Sequence, residues 1–183
     1  MTVSGIVGSH IITGSPDVRS SIKSMGVSGM LGPYADYRAS ELIALWPTGG
    51  HQGGMTPGQR EQFKQAVFRG EPLPADWPGD LAIITAYDPD GLPTKGELNL
   101  AADLALEADL RAAGYRLHRI TGGSADGRHQ EPGWAVPIGL PGAVEFGCRY
   151  RQLAVFYVRA GGLCLVDCAD GSSEDLKRAF GLV

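Results

Sequence analysis

Up to residue 79, apolar residues recur mainly at helical spacing, whereas beyond residue 80 they gather into short runs of strand length. The first part opens on GIVGSHII (5–12), read as a short strand. Ser15-Pro16-Asp17 then combines a capping serine, a proline at the first helical position and an early acid. Val18, Ile22 and Met25 follow on one face, and Gly26 stops that helix. A second helix is predicted over 34–46, ended by Pro47. A third opens at Thr56-Pro57, buries Phe63, Ala66 and Val67, and ends at Gly70. Glu71–Gly79 carries prolines at 72, 74 and 78, which forbid regular structure, so the chain divides there into an N-terminal mainly helical extension (1–79) and a core domain (80–183).

The core reads strand, helix, strand, strand, helix, strand, strand. LAIITAY is the first strand, and Thr94-Lys-Gly-Glu97 is a capping box that opens a helix to Ala113. Along that helix Asn99, Asp103, Glu107 and Arg111 stand four apart, which predicts a solvated polar face and a Glu107–Arg111 ion pair. YRLHRIT is the second strand and Trp134–Leu140 the third, where Pro137 indicates an edge or a bulge. Pro141 to about Tyr150 is helical, LAVFYV and LCLVDC pair across a Gly161-Gly162 turn, and Ser173–Phe180 reads as a closing helix. Right-handed strand–helix–strand crossovers and short antiparallel links then give an α+β fold. The expected architecture is a ferredoxin-like split βαβ antiparallel sheet with its helices on one face, beside the N-terminal extension.

Composition narrows the function classes. The apolar fraction of 43% suits a packed core, and the net charge of −4 counts against general nucleic-acid binding. Residues 80–183 hold the whole acidic excess. No apolar run approaches the roughly 20 residues of a membrane span, and the N-terminus lacks the pattern of a secretory signal, so a cytoplasmic setting is expected. Cys148, Cys164 and Cys168 lack metal-like spacing and are read as buried free thiols. His10 and His51 are read as structural or exposed. No cofactor and no metal site is predicted, since His118 would have to point toward His129 and Asp126.

The richest chemistry lies in GGSADGRHQEPGW (122–134). There Asp126, Arg128, His129 and Glu131 supply a proton acceptor, an anion clamp and an acid/base pair within six residues. His129 and Glu131 are two apart, so in extended chain they share a side, and the carboxylate can fix the imidazole tautomer. The predicted topology brings this loop to the same rim as Thr85, Tyr87 and Asp88, Asn99, and Arg149, Arg151 and Gln152. Tyr87 and Trp134 are candidate stacking surfaces. The alternative for each is structural: Glu131 shaping the turn, Arg149 paired with Glu145, the aromatics in the core.

Residues 80–170 resemble a bacterial family known as a domain of unknown function. The resemblance rests on IITAYDP, Asn99, GGSADGRHQEPGWAV and Arg151-Gln152 before AVFYV. Family members often carry asparagine in place of Asp88 and of Leu153. The resemblance supports the fold segment and the site and implies no reaction.

Two function classes remain, and the sequence leaves open whether the protein is an enzyme. In the first, the core binds, and hydrolyses or transfers, a small phosphate-bearing or nucleotide-like ligand, with His129 as base, Glu131 as its orienter, and Arg128 and Arg151 as clamp. In the second, it is a non-enzymatic module or inhibitor that meets a protein partner through residues 1–79.

Overall fold

The computed structural model describes residues 54–183 together with Glu41 and Ala44. Glu41 and Ala44 are helical, in keeping with a helix over 34–46; the other expectations for residues 1–53, including His10 and His51, lie outside the described residues. In chain order the elements are α1 (Pro57–Lys64), β1 (Val67–Arg69), β2 (Leu81–Thr85), α2 (Gly96–Ala112), β3 (His118–Gly123), β4 (Gln130–Val136), α3 (Leu140–Arg149), β5 (Ala154–Arg159), β6 (Gly162–Asp167) and β7 (Ser173–Ala179). The fold is α+β. One seven-stranded sheet runs β1-β3-β4-β2-β5-β6-β7 with every neighbouring pair antiparallel. This sheet is larger than the five strands expected from residue 80 onward.

Alternation along the strands builds two cores. Ala82, Ile84, Trp134, Val136, Val155 and Tyr157 face α2 and α3. Leu81, Ile83, Ala135, Ala154, Phe156 and Val158 face the other way, where Phe63 of α1 and Phe68 of β1 pack on Phe156 at 6.2 and 5.0 Å between ring centroids. Helices therefore lie on both faces of the sheet. Residues 57–69 form the cover of the second face and an edge strand.

Several local expectations change. Helix α1 ends at Lys64, not Gly70, because Val67–Arg69 pairs with β3. Its start has the full capping box, Thr56 with Gln59, whereas Thr94 and Glu97 form none: Lys95 is the cap residue and the Thr94 hydroxyl donates to the Leu92 carbonyl. The supposedly solvated stripe of α2 is buried at Asn99, Asp103 and Glu107, although the Glu107–Arg111 pair forms at 2.9 Å. Gly114 ends α2 as expected, with φ 85° and the Tyr115 N–H donating back to Leu110.

Strand β4 starts at Gln130, four residues early, and Pro137 falls outside it; β4 is central, not an edge. The proline inside the strand is Pro132. It is tolerated because β2 has already ended, the last β2–β4 pair being Thr85 with Gly133. The hairpin turn between β5 and β6 is Ala160-Gly161, both at positive φ, one residue before the expected pair. The tail is strand β7: Glu174, Leu176, Arg178 and Phe180 alternate inward along the open edge of β6, and that period of two overrides the helix-like cap and charges. Of the cysteines only Cys168 is buried, its thiol pushed up to about 12 by burial, while Cys148 is exposed.

Candidate functional site

Beneath α1 the curled sheet leaves a cavity of about 660 Å³. Its floor is apolar, made by Phe68, Ile83, Leu153 and Phe156 under Phe63 of α1, with Gly122, Gly123 and Gly133 exposing backbone. Gln59 and Gln62 of α1 and Gln65 just after it edge the cavity. Thr85, Asp88, His129 and Glu131 form its polar end. No lysine or arginine is among the described residues that line it.

Each polar group is placed by a short chain of contacts. Strand β3 turns into β4 through Ser124–His129. The Ser124 hydroxyl donates to Asp126 at 2.6 Å, and Asp126 also accepts the Arg128 N–H. The Ser124 N–H reaches the His129 carbonyl at 3.0 Å, and Arg69 donates to the Ser124 and Ala125 carbonyls. A Cβ at Gly123 would lie 2.1 Å from the His129 carbonyl oxygen, so only glycine permits this closure. His129 thus emerges beside Glu131, the first inward position of β4, with Nε2 at 2.8 Å from Glu131 Oε1.

Asp88 is held from the other side. It adopts a left-handed conformation with φ 45°, uncommon for a residue with a side chain, and Asp90 follows at φ 58°. Asn99 secures it twice: Oδ1 accepts the Asp88 N–H at 3.0 Å, and Nδ2 donates to Asp88 Oδ1 at 2.8 Å. The Thr94 N–H donates to the same oxygen. Gln152 donates to the Tyr87 carbonyl, the Asp90 N–H donates to the Arg151 carbonyl, and Arg151 pairs with Asp90. Thr85 bridges the strands, donating to Pro132 and accepting from the Tyr87 N–H.

One donor atom from each of Asp88, His129 and Glu131 lies within 4.8 Å of the others. Burial raises the Glu131 carboxyl above its ordinary pKa; His129 opposes this and the Asp88 charge adds to it. An imidazole–carboxylate pair of this kind can exchange a proton, and with Asp88 the three groups can hold a cation. The prediction of no metal-ligand set rested on His118, which is turned away, its Nε2 at 2.8 Å from the Glu71 carbonyl and its ring against Trp77.

The predicted site residues therefore separate into three groups. Thr85, His129 and Glu131 meet at the cavity, and Asn99, Gln152 and Arg151 hold the Asp88 loop behind it. The others sit elsewhere. Arg128 has a side chain 89% exposed at the loop tip, and Asp126 is spent on loop geometry. Trp134 belongs to the opposite core, under Arg119 at 3.6 Å. Tyr87 lies near Asp103 and Arg119; burial, with Asp103, raises its phenol. Arg149 pairs with Glu145 and Asp109. Sequence reasoning missed the wall given by Gln59, Gln62 and Phe63, whose spacing along one helix face was the available signal.

No helix among the described residues is long and apolar enough to cross a membrane. No curated protein and no solved structure matches the chain. Residues 84–155, inside the stretch that carries the family resemblance and spanning the Asp88 loop, Asn99, His129 and Glu131, match the model of a family described as Protein of unknown function (DUF3293).

Proposed function

We propose that the protein binds a small molecule in the cavity under α1, with an apolar body against Phe68 and Phe156 and a polar head at Asp88, His129 and Glu131. The observation that carries this reading is the lining itself: a mainly apolar chamber with one polar end that holds two carboxylates and an imidazole, and no lysine or arginine among its described residues. A phosphate-bearing or nucleotide-like head would need positive charge there, and the arginines expected to supply it are engaged elsewhere. The favoured head therefore donates hydrogen bonds or carries positive charge. Asn99 and Gln152 act as positioning residues, through the backbone and carboxylate of the Asp88 loop. The inner strand order β3-β4-β2-β5 also supports reading that part of the sheet as a split βαβ unit.

Amide NMR titration with benzylamine and, separately, phenyl phosphate tests the reading. Benzylamine is expected to move the amides of Gly122, Gly123 and Leu153, and Glu131→Gln to weaken it by roughly 10- to 100-fold, the range of a hydrogen bond to a charged group. No response to benzylamine, or a response to phenyl phosphate alone, would overturn it.

A further inference from the structure

We propose that Asp88, His129 and Glu131 are the protein ligands of a divalent first-row transition-metal ion seated at the polar end of the cavity. This deepens the binding reading by placing a metal ion at its polar end, in the place of a cationic head, and it rests on that reading for where the open coordination positions face. Three separate segments supply the donors: the turn after β2, the end of the β3–β4 hairpin, and β4 itself. Metal–ligand bonds of about 2.0–2.2 Å set neighbouring ligands roughly 3 Å apart. His129 Nε2 and Glu131 Oε1 already stand 2.8 Å apart, and one donor atom from each of Asp88, His129 and Glu131 lies within 4.8 Å of the others.

Charge supplies an independent argument. Asp103, Glu107 and Asp167 are buried acids, and each has an arginine: Arg119, Arg111 and Arg60 respectively. Asp88 and Glu131 stand close together with His129 beside them, in a cavity whose described lining holds no lysine or arginine. Two neighbouring carboxylates sheltered from water repel unless a cation or a proton joins them, and a metal ion lets both stay ionised.

The support behind Asp88 resembles what holds a metal ligand. Asn99, itself buried, and the Thr94 N–H occupy one carboxylate oxygen, which orients the group and leaves the other oxygen to coordinate. One imidazole and two carboxylates suit Zn²⁺, Mn²⁺ or Fe²⁺ better than an all-oxygen Ca²⁺ site. Three protein ligands leave coordination positions open, the pattern of sites that also bind a reactant or ligand.

Equilibrium dialysis of the untagged full chain against Zn²⁺, with Co²⁺ absorption as a coordination signature, tests this. The expected result is one ion per chain and a Co²⁺ spectrum distinct from that of the aqueous ion. His129→Ala and Asp88→Ala should each weaken binding at least about tenfold, and Asn99→Leu by roughly 10- to 100-fold, while Arg128→Ala changes nothing. His129 is more than half exposed, so its alanine variant should fold as the parent does. Absence of stoichiometric Zn²⁺ binding, or binding that His129→Ala and Asp88→Ala leave intact, would overturn the proposal. Benzylamine shifts that persist when no ion binds would sink the metal site and leave the cavity reading standing. Bound Zn²⁺ without a benzylamine response would support the metal site and remove the organic-cation reading.

Discussion

Under α2, the Asp103 carboxylate is 3% exposed and meets Arg119 through two hydrogen bonds of 2.8 Å, the guanidinium lying over the Trp134 ring. Across the sheet the Glu131 side chain is 20% exposed, and it meets one imidazole and a second carboxylate. Burial pushes both carboxyls above their ordinary pKa. For Asp103 the arginine pulls back; for Glu131 only His129 does. The first arrangement is closed, with both oxygens of its buried carboxylate bonded by one arginine. The second is open, and its geometry is held by Asn99, Thr94, Gln152 and Arg69, none of which neutralises it. Buried charge that the fold completes is architecture; buried charge held in place but left incomplete is where a ligand belongs.

The largest expected effect breaks the closed side. Arg119→Ala leaves Asp103 buried without its partner and should cost about 3 kcal/mol in urea unfolding, the low end for a broken buried pair because Arg119 is itself 43% exposed. Zn²⁺ binding by the folded fraction should be unchanged. Gly123→Ala attacks the open side through its scaffold. Its Cβ would strike the His129 carbonyl, with an expected loss of about 1–3 kcal/mol by thermal unfolding and a parallel loss of Zn²⁺ binding.

Glu131→Gln separates the two carboxylates by pH. With the folded pKa of Glu131 raised, the neutral acid favours the fold. That contribution is complete below the unfolded pKa and is lost as pH rises through the raised folded value. The metal-free variant should therefore match the parent near about pH 4 and exceed it in Tm as pH rises toward about 8. A constant difference across that range would contradict the open-site electrostatics. The smallest effect lies far from both clusters: Ala160 sits at φ 48° in the β5–β6 turn, and Ala160→Gly should add about 0.5–1 kcal/mol with no change at the cavity.

Much of the core was legible because its signals are local. The runs LAIIT and AVFYV, the Gly114 stop and the proximity of His129 to Glu131 need only near neighbours. What failed depended on distant partners. The stripe Asn99, Asp103, Glu107 looks solvated until Arg119 and Asp88 arrive from other elements. Ser173–Phe180 has the cap and charges of a helix, and only the free edge of β6 makes its alternation decisive. The cavity was hidden for the same reason: its wall comes from residues 57–68, which composition groups with the N-terminal extension.

Carboxyl-carbon NMR of the metal-free chain, recorded while Zn²⁺ is added, tests the central contrast most directly. The Asp88 and Glu131 carboxyl signals are expected to move together and saturate at one equivalent, while those of Asp103 and Glu107 stay in place. Signals of Asp88 and Glu131 that remain still, or move no more than those of Asp103 and Glu107, would contradict it.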